Sequence, residues 1–109
     1  LIKKGNGMVI QLTPQISKQT DKRLIIKAYA SWCGHCKVMK PLFEQLEKEV
    51  GSQYTFAEFD IDQSPELAEQ LGINSIPVFI VMKNGKETGR ELGEISYDKL
   101  KEFAQNAVK

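Results

Sequence analysis

Cysteine is scarce in this 109-residue chain: only two occur, both inside "SWCGHCKVMKP" at residues 31–41. Two are too few for the disulfide-dense scaffold of a small secreted protein. Long apolar runs are missing as well. The densest, Ile76 to Met82, falls far short of the ~20 residues that a membrane helix needs. No apolar stretch follows the opening "LIKKGNG", so no signal peptide is read there. The chain opens on Leu1, and Met8 offers a native start, so removal of an export signal stays open. Neither sign of charge dominates: 15 basic residues face 14 acidic ones, for a net charge of +1. That balance argues against electrostatic binding of nucleic acid. Repeats, linkers and low-complexity tracts are absent too.

What is present suits one packed unit. Hydrophobic residues make up 41% of the chain, enough to exclude general disorder at this length. The expected organisation is a tail over residues 1–7 and a single domain over 8–109. "MVIQL" at 8–12 reads as a short strand. Thr13 and Pro14 then open a short helix as N-cap and first helical residue. "RLIIKAYA" at 23–30 is apolar on both faces apart from one lysine, as a strand covered on both sides requires. From Gly34 to Val50, Met39, Leu42, Phe43, Leu46 and Val50 recur at helical spacing, with Gly51 as the stop and Pro41 inside as an expected kink. Further strands are read at 54–61, 77–82 and, after an Asn84-Gly85 hairpin turn, 87–92. Helices are read at 65–71 and after Ser96, with Leu100, Phe103, Ala104 and Ala107 facing inward. The order β-α-β-α-β-α-β-β-α predicts a three-layer α/β sandwich around a mixed sheet.

The two cysteines sit where a strand gives way to a helix. Their spacing puts both sulfurs on one side of the first turn, close enough to bond. At a helix start, free N–H groups and the macrodipole favour negative charge, so Cys33 is placed to ionise and attack. Cys36, one turn deeper, reads as the resolving thiol. His35 and Lys37 add positive charge nearby, and a protonated His35 would favour the thiolate and make the disulfide a better oxidant. His35 is the only histidine, and a plain solvated surface role is its alternative. A structural bridge across two residues would stabilise little. Zinc prefers four ligands, and only Cys33, Cys36 and at most His35 are on offer, so no metal is expected. A Cys-X-X-Cys pair beside a βαβ pattern points instead to redox chemistry.

From Met8 onward the chain resembles the thioredoxin family. "YASWCGHCKVMKP" and "DIDQSPELAEQLGINSIPVFIVMKNGK" carry the likeness. The resemblance implies a thioredoxin fold with five strands in the order 1-3-2-4-5 and four helices. It implies that Ile76-Pro77 is a cis bond facing the cysteines. Trp32, Gly34, Ile76, Pro77 and Gly93 then form a flat, mostly apolar docking patch. Two positions depart from the family pattern. His35 stands where bacterial thioredoxins usually carry proline, and "CGHC" is the form typical of protein disulfide isomerase domains; a more oxidising potential is the expectation. Lys27 stands where the family has a buried acid, and Glu58 stands where it has the lysine paired with that acid. Lys27 and Glu58 are therefore expected to pair behind Cys36 as a proton relay or, alternatively, only to satisfy each other's charge.

The functional expectation is a thiol–disulfide oxidoreductase acting on protein disulfides or dithiols, with the Cys33–Cys36 dithiol as its only redox group and no separate cofactor. A thioredoxin-reductase-like electron donor, a cytoplasmic location, a monomeric state and no membrane or nucleic-acid partner complete it. An exported oxidase, isomerase or specialised reductase is the main alternative. A non-catalytic binding module on the same fold is a third.

Overall fold

The computed structural model describes residues 9–14, 23–51 and 53–107. Five strands form one sheet in the order β1-β3-β2-β4-β5: β1 Ile10–Gln11, β2 Arg23–Tyr29, β3 Thr55–Asp60, β4 Val78–Lys83 and β5 Lys86–Leu92. Strands β1, β3 and β2 pair in parallel, whereas β4 pairs antiparallel with both β2 and β5. Three helices are seen among the described residues: α1 Gly34–Val50, α2 Pro65–Gln70 and α3 Tyr97–Ala107. The expected fourth helix, opening at Pro14, lies almost wholly outside the described residues, as do the tail over 1–7 and Met8. The sheet order and the mixed sheet are those of the thioredoxin fold. The first strand is shorter than the five residues expected. The fourth begins at Val78 rather than Pro77, because proline has no N–H to give the ladder.

Alternation in β2 sorts the core into two layers. Ile25 joins Met39, Phe43, Leu46, Phe56, Phe79, Val81 and Leu100 between the sheet and helices α1 and α3. Leu24, Ile26 and Ala28 join Ala57, Phe59, Ile80 and Leu67 of α2 on the other face. Period-two burial on a strand covered on both sides gives this pattern. Phe43 of α1 anchors the first layer, with its ring centroid 5.1 Å from Phe56 and 5.8 Å from Phe79. Burying such a ring contributes about 1.5–3 kcal/mol. The Tyr54 hydroxyl donates to the Ala104 carbonyl and ties the start of β3 to α3.

Local chemistry sets the ends. Helix α1 runs on past Pro41, and the Lys37 carbonyl one turn back loses its helical donor. Gly51 ends the helix in right-handed geometry, its N–H donating to Glu47 O at 2.7 Å, so no left-handed glycine is needed there. The Ser96 hydroxyl accepts from Lys99 N at 3.1 Å and caps α3. Asn84 and Gly85 both have positive φ, 54° and 77°, as a type I′ hairpin turn requires.

Candidate active site

Strand β2 ends at Tyr29, and a short turn carries the chain into α1. Cys33 is the N-cap of that helix, in extended geometry, and its Sγ accepts the Cys36 N–H at 3.2 Å. The sulfur thus occupies the place of an oxygen in an ordinary helix cap. A thiolate there receives the same N–H and the positive end of the helix. Cys33 and Cys36 are joined as a disulfide, with Cα atoms 5.2 Å apart. Cys33 is 7% exposed and Cys36 3%, so the first cysteine is the less buried of the two. Ala30, Tyr29, Ile61 and Ile76 pack around the pair.

In front of the disulfide lies an exposed surface. Trp32 is 67% exposed, and its Nε1 donates to Asp62 Oδ2 at 2.7 Å. Gly34 is also open to solvent. The Ile76–Pro77 bond is cis, with Ile76 against the cysteines and Pro77 buried. Gly93 has φ 86°, a region that favours glycine, and its N–H donates to Pro77 O at 2.8 Å. That bond holds the loop after β5 beside the proline. His35 Nδ1 lies 2.7 Å from Glu94 Oε1, with both side chains open to solvent, 76% and 42% exposed. Of the expected docking residues, Trp32 and Gly34 are exposed, Ile76 packs on the cysteines, and Gly93 is hydrogen-bonded to a buried Pro77.

Behind the disulfide, Lys27 is buried and Glu58 half-buried. Lys27 lies opposite Glu58 in the β2–β3 register, and Nζ is 3.1 Å from Oε1. Lys27 is 3% exposed and Glu58 17%, so the lysine is the inner partner. Its ammonium also sits 5.3 Å from the ring centroids of both Tyr29 and Phe43, within cation–π range. Burial pulls Lys27 below its ordinary pKa, opposed by the Glu58 carboxylate. Burial, followed by the charges of Glu58 and Asp60, pushes the Tyr29 hydroxyl up. A cavity of about 150 Å³ brings these groups together with Cys36: Lys27, Tyr29, Cys36, Lys37, Lys40 and Glu58 are among the residues that line it. Such a volume has room for several waters.

Four residues of this site were not picked out from the sequence. Asp62 and Glu94 hold Trp32 and His35 from 30 and 59 positions away. Tyr29 and Lys40 line the cavity. A signal existed for two of them. Asp62 follows the carboxyl end of a parallel strand, where α/β sites gather, and Glu94 adjoins Gly93. Among the described residues no group of three or more His, Cys, Asp or Glu side chains could hold a metal ion. Nor, among them, is any helix long and apolar enough to cross a membrane.

A helix-capping cysteine bonded to a second one turn on, at the end of a central parallel strand, defines a thiol–disulfide oxidoreductase. The thioredoxin family model matches residues 11–106. Thioredoxin of Mycoplasmoides gallisepticum is 36% identical over 84 residues, covering 77% of this chain and 83% of that protein. Thioredoxin of Chlamydia muridarum is 42% identical over 77 residues, covering 71% and 74%. The crystal structure of Malassezia sympodialis thioredoxin superposes with a TM-score of 0.81 at 28% identity, covering 98% of this chain and 96% of that one. The chain belongs to the thioredoxin family. Members of that family act on protein disulfides and draw electrons from a reductase.

Proposed function

We propose that this chain is a general protein-disulfide reductase in which Cys33 attacks and Cys36 resolves. The observation that carries the reading is the Cys33 sulfur, which caps α1 and accepts a helix N–H, in the less buried of the two cysteines. The Cys33 thiolate attacks one sulfur of a substrate disulfide. That bond breaks, the first substrate thiolate leaves, and a mixed disulfide forms. Cys36 then gives up its proton and attacks Cys33 Sγ. The second substrate thiolate leaves and takes up a proton, and Cys33–Cys36 is left oxidised by two electrons. Glu58, paired with Lys27 on the cavity wall, takes the Cys36 proton through water in the cavity. Trp32, Gly34, Ile76, Pro77 and Gly93 seat the extended substrate segment in front of the sulfurs, and His35 favours the thiolate.

No flavin or metal is needed within the chain, because the electron pair enters and leaves through the sulfurs. A thioredoxin-reductase-like protein returns the electrons, and the protein works as a monomer in a cytoplasm. Insulin reduction with dithiothreitol or such a reductase as donor tests this reading. Turnover that disappears in Cys33→Ser supports it, and full activity in that variant overturns it. The exported oxidase or isomerase reading draws on His35, open to solvent between the two cysteines. A reduction potential near the oxidising poise of about −120 to −180 mV would favour that reading over a reductase.

A further inference from the structure

The Lys27–Glu58 pair has a direction, and the direction has a consequence for Cys36. The lysine is the inner partner and the carboxylate the outer one. Lys27 lies on the strand that leads into the cysteine turn, and it shares the cavity wall with Cys36. On that wall the groups are three ammoniums, Lys27, Lys37 and Lys40, with one carboxylate, Glu58, and the Tyr29 hydroxyl. Glu44 pairs with Lys40 at 3.0 Å from farther along α1, and Asp60 closes the end of β3. Two aromatic faces flank the Lys27 ammonium and help to keep it a cation in spite of its burial.

From this arrangement we infer that Lys27 is a positioning residue for the electrostatics of Cys36: a fixed cation that stabilises the Cys36 thiolate across the cavity. The inference rests on the dithiol reading of the site and adds a role for the sign of the buried charge. A cation close to a thiol favours ionisation, and a carboxylate opposes it. Lys27 and Glu58 therefore pull the Cys36 equilibrium in opposite directions, with the inner charge prevailing. In turnover, the ionised Cys36 is the species that attacks Cys33 and releases substrate. The Cys36 proton passes by way of the cavity to Glu58 and on to the medium, and the departing substrate thiolate takes up a proton in turn. One sulfur–sulfur bond forms as the other breaks.

The test separates this role from mere strand pairing. In the Cys33→Ser background, Cys36 titrates alone, and its thiolate absorbance near 240 nm is followed against pH. Lys27→Met is expected to raise the Cys36 midpoint by about one pH unit, a tenfold fall in thiolate at a fixed pH below the midpoint. Glu58→Gln is expected to lower the midpoint, and Lys27→Arg to hold it near that of the background. If Lys27→Met fails to fold, the Glu58→Gln and Lys27→Arg titrations still decide. Glu58→Gln leaving the midpoint fixed or raising it, or Lys27→Met leaving it fixed or lowering it, overturns the inference. Loss of insulin reduction in the otherwise native protein bears only on the proposed function, because the titration reads no turnover.

Discussion

Two side-chain pairs, each with one carboxylate, flank one disulfide, and the water around them differs. In front, His35 and Glu94 meet at 2.7 Å with 76% and 42% of their side chains exposed. Behind, Lys27 and Glu58 meet at the longer distance of 3.1 Å with 3% and 17% exposed. The shorter contact carries less weight. Exposed pairs are screened and contribute about 0–1 kcal/mol. Charges held out of water interact more strongly but incur a desolvation cost that only a partner offsets. The front pair lies open to solvent, whereas the back pair is part of the fold.

The largest expected effect breaks the redox centre that both pairs serve. Cys36→Ser should trap a mixed disulfide on Cys33 and lower steady-state insulin reduction by at least ~10³-fold, as loss of an essential nucleophile commonly does. A covalent adduct seen by mass spectrometry after incubation with a disulfide substrate checks it. Appreciable turnover without an adduct would contradict the assigned order of the sulfurs.

Next comes the back pair. Lys27→Met should destabilise the fold by about 2 kcal/mol, below the ~3–5 kcal/mol of a fully buried pair because water reaches Glu58. Combining it with Glu58→Leu should recover most of the loss, since two apolar side chains leave no charge unpaired. Urea denaturation of the single and double variants measures both. The pair should also mark the pH profile. Lys27 is depressed in the fold, so between that lowered value and the ordinary ~10.4 the unfolded chain binds more protons. The burial penalty is fully present below this window. The stability of wild type relative to Lys27→Met should rise with pH through it and level off above about 10.4. A flat or falling difference would remove desolvation as the cause.

Much of this contrast was legible in the sequence. The cysteine spacing, the helical stripe of α1 and the Asn-Gly turn follow from local chemistry, and each appears where periodicity placed it. Lys27 stood out because a charge in a two-sided apolar strand needs a partner. Its partner came from the family resemblance, and the register places the two side by side. The front-side partners were harder to read. Asp62 and Glu94 reach the CXXC turn only after the chain has folded back on itself, and their neighbours in sequence carry no periodic signal. The cavity behind Cys36 was equally hidden, because it is made by side chains from β2, β3 and α1 together.

Smaller effects belong to the front. Trp32→Ala should lower kcat/KM for a folded protein disulfide by about tenfold, or ~1.4 kcal/mol in transition-state binding. The unfolding midpoint should stay within about 0.5 kcal/mol of wild type, as expected for an exposed site. Reduction of a small-molecule disulfide alongside insulin distinguishes docking from sulfur reactivity, because only insulin turnover should fall. Smallest of all, Glu94→Gln should change stability by less than ~0.5 kcal/mol, with even that difference fading in 1 M salt. A larger, salt-insensitive loss would erase the distinction between the two pairs.

The account depends most on one sulfur being ionised and reachable while the other is held back. Alkylation of the fully reduced protein near pH 7, with each cysteine followed separately by peptide mass spectrometry, tests that directly. Cys33 should react at least ~10-fold faster than free cysteine, whose pKa is about 8.5, and Cys36 should lag well behind it. Equal labelling of the two, or a Cys33 no faster than the free amino acid, would contradict the account.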